Sequence, residues 1–440
     1  MQNASRAAAL EILERCRRDK AWSSAALDAA VSRFGLDRRD AALASRLSLG
    51  VLQNSAYCDY YTELYASRKA ESLQPKLRDI LRLGIYQLLF LDKIPARAAV
   101  NESVALCRAA GMERAAGLVN AVLRRVAENR DCLPPVPGEG TAEYLSIRYS
   151  HALWLVRRLL QEHDYAFVEC FLAANNQVPP LCIQVNTQRI SAEDYKRALN
   201  RAEIPFTECE ALPGCLNLEG GTVTALPGFE DGLFYVQDRA ARCAVKAADP
   251  RPGDRVLDAC AAPGGKSFAA ALAMEDRGSI LSCDIHEKKL RLIESGAGRL
   301  GLSSVRTQAH DAREANPDWE RSFDLVLADV PCSGLGVIGK RPEIRYKSEH
   351  EIAALPDIQG QILQTVSACV QPGGGLLYST CTVLEAENRT VVERFLANNP
   401  DFEAEDFSIG PVHSHNGMYT FWPHIDGTDG FFAAKLRRKE

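Results

Sequence analysis

From residue 1 to about 130 the apolar positions recur at helical spacing. Leu77, Ile80, Leu81, Ile85, Leu88 and Leu89 keep the i, i+3, i+4 pattern of one buried helical face, Pro95 suits a first helical turn, and Val100, Val104 and Ala105 resume the stripe. The pattern predicts an all-α bundle. Residues 131–141, DCLPPVPGEGT, hold three prolines and two glycines, which stop helices and favour extended chain, so a domain boundary is expected there. A further helical stretch, roughly 142–174, carries Trp154, Leu155, Leu159 and Leu160 and ends before the VPPL at 178–181. LCIQVNT then reads as a strand, and SAED at 191–194 as a capping box opening a helix. From residue 237 short β-branched runs alternate with helical ones, the pattern of a mostly parallel sheet. The predicted strands are RVLDA (255–259), SILSCD (279–284), SSVRTQA (303–309), FDLVLAD (323–329) and GLLYST (375–380), with helices at 286–301 and 356–370. The chain therefore divides into a bundle at 1–133, a connecting α+β segment at 142–236 and an α/β domain at 237–440.

Charge changes this picture in one respect. The net charge of -5 conceals 21 Lys+Arg against 16 Asp+Glu in residues 1–140, so a basic bundle precedes an acidic remainder. That is the asymmetry of a polyanion-facing module joined to something else, or of helices with solvated cationic faces. Fourteen cysteines without regular spacing, and no apolar stretch behind MQNASRAAAL, suggest reduced thiols in a cytoplasmic protein. No Cys-x-x-Cys pair or His-containing ligand set is present, so no metal is expected.

After the first α/β strand comes CAAPGGKS, residues 260–267, opening a helix. Small residues at such a turn expose backbone N–H groups to a ligand. A phosphate-loop reading fails because the glycine it needs at position 260 is Cys260. Asp284 ends the second strand, Asp311 follows the third, and Asp329 ends the fourth. Carboxyl ends of parallel strands share one crevice, and a carboxylate some twenty residues beyond the glycines suits the hydroxyls of a ribose. Together these residues predict a nucleoside pocket.

Two cysteines close the fourth and fifth strands, Cys332 in DVPCSG and Cys381 in STCTV. If those strands are neighbours, both thiols open beside the same pocket. A helix expected to start near Leu384 would favour a thiolate at Cys381.

VLDACAAPGGKS, LADVPCSGLGVIGKRPEIRYK, LLYSTCTVLEAENRTVVERFL and DGTDGFFAAKL resemble, in order, the motifs of RNA cytosine-5 methyltransferases that use S-adenosylmethionine. The basic N-terminal bundle resembles the NusB-like domain of the branch that methylates 16S ribosomal RNA, at cytosine 967 in the usual ribosomal numbering. The resemblance implies an all-α NusB-like bundle followed by a Rossmann-like class I methyltransferase domain. It implies that Cys381 attacks carbon 6 of the cytosine, that Cys332 helps to resolve the adduct, and that Asp329 contacts the base. It also assigns S-adenosylmethionine to Cys260, Ala261, Ala262, Pro263, Gly264, Gly265, Lys266, Asp284, Asp311 and Asp329.

Lys340, Arg341, Arg345 and Lys347 follow Cys332 closely and are expected to hold phosphates flanking a target base turned out of its stack. Arg437, Arg438 and Lys439 read as a solvated tail, and Gln184 stands where an RNA-contacting strand would favour arginine. The expected partner is 16S RNA, free or partly assembled, for a monomer without membrane attachment. The alternatives are a cytosine-5 methyltransferase of another RNA, such as transfer RNA, and a non-catalytic RNA-binding or antitermination factor.

Overall fold

The structure, a computed structural model, describes residues 4–219 and 222–440. The first three positions of the expected bundle, and Gly220 and Gly221 of the connecting segment, lie outside the described residues. The chain forms two compact units, one running to Gln177 and taking in Ile338–Glu349, the other comprising Val178–Val337 and His350–Glu440.

The first unit is helical. Its helices are Ala4–Arg18, Ser23–Phe34, Arg38–Gln53, Ser55–Ala66, Pro75–Phe90, Ala96–Ala109 and Ala116–Glu128, followed by Ala142–Arg148, Leu153–Glu162 and Tyr165–Ala174. Pro75 opens its helix, where a missing N–H costs nothing, and Asp37 and Thr141 cap theirs by accepting from Asp40 N–H and Tyr144 N–H. Leu77, Ile80, Leu81, Ile85 and Leu88 are buried, as their spacing predicts, with Leu47, Val119 and Leu123 in the same core. The proline-rich 131–141 stretch and the helices of 142–174 fall within this unit.

Ile338–Glu349 reaches this unit from the middle of the methyltransferase-like sequence, and Arg345 anchors it. The Arg345 side chain is fully buried, and its Nη1 donates to Gln53 O at 2.6 Å, Asn176 Oδ1 at 2.9 Å and Ser150 O at 3.2 Å. This corrects the expectation that Arg345 holds RNA phosphate, since its guanidinium is fully buried and turned onto protein oxygen atoms. Arg341 is exposed and stacks over Trp22 at 4.5 Å, so it keeps a surface position, as does Lys340. Trp154 Nε1 donates to Lys347 O, and Lys347 is half-buried.

In the second unit, β1 (Leu181–Val185), β2 (Phe206–Glu208), β3 (Cys215–Leu218) and β4 (Phe234–Val236) form an antiparallel sheet in the order β2-β3-β1-β4. The helix Ala192–Arg201 packs Tyr195 and Leu199 against it, and Ser191 caps that helix through Asp194 N–H as the SAED motif predicts. Gln184 is buried, donating to Cys215 Sγ and Gln237 O, so it faces the interior.

The larger sheet contains β5 (Arg255–Asp258), β6 (Ser279–Asp284), β7 (Val305–Ala309), β8 (Phe323–Asp329), β9 (Val370–Thr380) and β10 (Phe402–Ala404). After the short pair β11 (Ser408–Ile409) and β12 (Val412–His413), β13 (Met418–Phe421) and β14 (Phe431–Arg438) complete it. The order is β10-β14-β9-β8-β5-β6-β7, with β13 paired to β14. Strands β5 to β9 are parallel to their neighbours, and β14 runs antiparallel to β9. Alternation along the strands feeds two cores. Leu325, Leu327 and Leu377 join Phe268, Ala270 and Ile293 on one face, while Val326, Ala328, Leu376 and Tyr378 join Leu363, Val366 and Val391 on the other. Burying each such leucine or valine contributes about 1.5–3 kcal/mol. Because the chain leaves β5 towards β6 on one side and returns to β8 on the other, the carboxyl ends of β5 and β8 flank a topological switch point.

Arg438 does not belong to a solvated tail. It ends β14, pairs with Asp401 at 2.9 Å, donates to Val370 O at 2.9 Å and lies over the Phe402 ring.

Candidate active site

Residues 260–266 follow β5 at the switch point and lead into the helix Gly265–Ala273. Gly264 has φ +109, and a Cβ there would stand 2.6 Å from the Phe268 ring. A side chain at 264 is therefore excluded twice, by backbone and by space, which leaves the turn bare for a ligand.

Acidic side chains surround the loop. Asp284 ends β6, is 9% exposed, and accepts from His286 N–H at 2.9 Å. Asp258 ends β5 and was missed by sequence reasoning, although it stands at the same strand position as Asp284 and Asp329. It is fully buried, accepts from Ser267 Oγ at 2.7 Å, and its Oδ1 has no hydrogen-bond partner among the described residues. Burial pushes its carboxyl up to about 7, partly offset by Ser267 and the nearby Lys266 cation. Asp311 lies beyond β7 with its carboxylate engaged by the Arg313 guanidinium at 2.6 Å, which holds it down at about 2. Asp311 thus serves its own turn, its charge balanced by a cation two residues along the chain.

A bare glycine turn, an orphaned buried carboxylate oxygen and a ribose-height acid suit a nucleoside-bearing cation. S-adenosylmethionine, with its sulfonium and ammonium charges, fits that donor set.

The two cysteines meet at the other side of the same strand ends. Strands β8 and β9 are neighbours, with Asp329 opposite Ser379, and Cys332 Sγ lies 3.2 Å from Cys381 Sγ. The hydrogen bond from Cys332 lowers the Cys381 thiol, and the Lys266 cation acts in the same direction, against desolvation and the Asp329 charge. Cys332 is shifted well up, by the same hydrogen bond and by burial. The two sulfurs share one hydrogen bond, and the shifts make Cys381 the more acidic of the pair. No α-helix begins near Leu384: a single 3-10 turn, Glu385–Glu387, precedes the helix Arg389–Asn398. The expected helix terminus is therefore replaced by a thiol donor and a lysine.

That lysine is Lys266, expected from sequence only as part of the cofactor loop. Its Nζ stands 2.6 Å from Asp329 Oδ2 and 5.0 Å from the centre of the Phe431 ring, while Ser379 Oγ donates to Asp329 Oδ1 at 2.8 Å. Burial alone would lower the Lys266 ammonium, but Asp329 holds it above its usual range. Loop, acids and both cysteines are thus brought together, whereas Arg345 is carried away into the helical unit. Among the described residues no group of three or more His, Cys, Asp or Glu side chains is placed to hold a metal ion, and no helix is long and apolar enough to cross a membrane.

Three family models match successive parts of the chain. Residues 245–437 match the family model of 16S rRNA methyltransferase RsmB/F, 3–128 match the NusB family, and 151–224 match the ferredoxin-like domain of RsmF/B-like methyltransferases. The probable ribosomal RNA small subunit methyltransferase B of Bacillus subtilis is 33% identical, covering 98% of both chains. Its counterpart in Synechocystis is 34% identical over 99% of both. The crystal structure of PH0851 superposes with TM-score 0.84 at 25% identity, covering 100% of this chain and 99% of that one. A methyltransferase homologue from Pyrococcus horikoshii covers 68% of this chain and 99% of its own, with TM-score 0.60 and 27% identity.

Proposed function

Since the chain belongs to the RsmB/F family of 16S rRNA methyltransferases and carries its NusB domain, we propose that it methylates carbon 5 of a cytosine in 16S ribosomal RNA, cytosine 967 in the usual numbering, through a covalent Cys381 adduct. The observation that carries this reading is the 3.2 Å approach of Cys332 and Cys381 at the ends of β8 and β9, with Cys381 the member of the pair shifted downward.

Carbon 5 of cytosine is a poor nucleophile until a thiolate adds at carbon 6. Cys381 forms that bond, and the electron pair it pushes into the ring makes carbon 5 enamine-like. Asp329, held by Lys266 and Ser379, hydrogen-bonds the amino edge of the base or keeps ring nitrogen 3 protonated during attack. S-adenosylmethionine, when bound, supplies an electrophilic methyl group. Loss of the carbon-5 proton then lets the Cys381–carbon 6 bond break, and Cys332 assists that release. Gly264, Gly265 and the rest of loop 260–266 bind the cofactor with Asp258 and Asp284, and Asp311 borders that site through its Arg313-paired carboxylate. Lys340 and Arg341 contact RNA phosphate. The enzyme works as a metal-free monomer in the cytoplasm.

Incubating the protein with unmodified 16S RNA and S-adenosylmethionine, followed by nucleoside mass spectrometry and positional mapping, tests the reaction. One 5-methylcytidine at position 967 is expected. Methylation confined to transfer RNA, or to another ribosomal position, contradicts the substrate assignment.

A further inference from the structure

Glu387 lies six residues beyond Cys381 and is 1% exposed, with no cation at ion-pair distance among the described residues. Burying an unpaired carboxylate is costly, and a hydrophobic residue of similar size would be the stabilising choice. Its partners explain its presence. Glu387 Oε2 accepts from Ser333 N–H at 2.8 Å and from Gln359 Nε2 at 2.8 Å, and Oε1 accepts from Thr382 Oγ1 at 3.3 Å. Gln359 Nε2 also donates to Pro331 O at 3.0 Å, and Ser333 Oγ and Thr382 Oγ1 are 2.8 Å apart. The neighbouring Asn388 accepts from Thr380 Oγ1 at 2.6 Å and donates to Thr382 O at 3.0 Å.

Pro331 and Ser333 flank Cys332, while Thr380 and Thr382 flank Cys381. One buried carboxylate and its neighbouring amide therefore tie both sides of both cysteines to a single turn. On the methyltransferase reading above, we propose that Glu387 is a positioning residue of the reaction, holding the Cys332 and Cys381 loops so that the Cys332 S–H donates to the Cys381 sulfur. Glu387 touches neither substrate nor cofactor in this role. Its negative charge also lies behind Cys332 and helps keep the proton there. The strand pairing of β8 with β9 ends at Asp329 and Ser379, where Val330 N–H bonds Ser379 O, and beyond it Gly336 N–H bonds Cys381 O, so the Glu387 contacts add a side-chain tie to these backbone ones.

A trivalent arsenical reads the cysteine pair without RNA or turnover. Phenylarsine oxide condenses with two adjacent thiols, forming two As–S bonds and releasing one water. The uptake that matters is the part lost in both Cys332→Ala and Cys381→Ala. Glu387→Gln can still accept from Ser333 N–H and Gln359 through Oε1 and donate to Thr382, so it should keep that uptake, and kcat within about threefold of wild type. Glu387→Ala should lose the uptake and at least tenfold in kcat, with KM for S-adenosylmethionine and RNA unchanged. Should Glu387→Ala fail to fold, Glu387→Asp decides, because one methylene less prevents its carboxylate from reaching Ser333 and Thr382 together. Wild-type uptake and turnover in Glu387→Ala or Glu387→Asp overturns the proposal, as does a loss in Glu387→Gln as deep as in Glu387→Ala. Absence of 5-methylcytidine with the wild-type enzyme defeats the methyltransferase reading instead, and leaves the arsenical comparison to decide the role of Glu387.

Discussion

Lys266 Nζ and Asp329 Oδ2 are 2.6 Å apart, so the cation that closes the glycine loop also balances the carboxylate beside the two cysteines. Lys266 favours the charged form of Cys381. Removing it moves the Cys381 thiol upward and leaves less thiolate at neutral pH. Lys266→Met should therefore shift the acidic limb of the kcat profile to higher pH and cut turnover at pH 7 about tenfold or more, the equivalent of one pKa unit. An unmoved limb contradicts this role for the lysine.

Asp258 carries a linked stability effect. Burial raises its carboxyl to about 7 from an ordinary 3.8, so between those values the folded state binds more protons than the unfolded one. Stability contributed by the protonated form is complete below pH 3.8 and lost as pH rises through about 7. Asp258→Asn should remove that loss, making the unliganded protein more stable than wild type at pH 8 by up to about 4 kcal/mol while the two converge near pH 4. Urea unfolding at both pH values measures it. The same variant should bind S-adenosylmethionine more weakly, because a buried acceptor hydrogen-bonded to Ser267 beside the glycine loop has lost its charge.

Asp284→Ala should weaken S-adenosylmethionine binding with little effect on kcat at saturating cofactor, as expected of a ribose contact. Isothermal calorimetry that finds the affinity unchanged removes that contact.

Arg345→Met leaves the carbonyls of Gln53 and Ser150 and the Asn176 amide oxygen without their buried donor. An expected cost of about 3 kcal/mol or more appears in denaturant unfolding of the full chain. At temperatures where the variant is folded, RNA affinity should match wild type, whereas Arg341→Ala should reduce it and shallow its salt dependence.

Gly336 bears on the same cysteines sterically. Its N–H donates to Cys381 O at 2.9 Å and its carbonyl accepts from Gly430 N–H at 2.8 Å, and an added Cβ would stand 1.9 Å from Gly430 O. Gly336→Ala must displace the Cys381 loop or Gly430. A loss of more than tenfold in kcat is expected, with cofactor affinity retained, and full activity contradicts the packing.

Strands β5, β6 and β8 were legible in the sequence because they are short, largely apolar and closed by aspartates, and β7 and the end of β9 because helical periodicity sets them apart. The short strands β10 to β13 were not, since two- to four-residue strands carry too few positions to show a period, and in the eight-residue β14 Arg437 and Arg438 disguise the strand end as a polar tail. At the site, Cys332, Cys381, Asp329 and the glycine loop were legible from strand ends alone. Asp258 obeyed the same rule and was hidden inside the loop motif. Lys266 and Glu387 act across the fold, 63 residues from Asp329 and 54 from Ser333, and only tertiary contacts reveal such pairings. Arg345 misled for a related reason: a charge run gives no sign of which member turns inward.

The most direct measurement compares wild type, Cys332→Ala and Cys381→Ala on unmodified 16S RNA with labelled S-adenosylmethionine, scoring both methyl transfer and protein–RNA adducts that survive denaturation. Attack by Cys381 predicts that Cys332→Ala accumulates a covalent adduct while Cys381→Ala gives neither adduct nor product. Methylation by Cys381→Ala, with Cys332→Ala dead and adduct-free, would contradict it and place the nucleophile on the loop after β8.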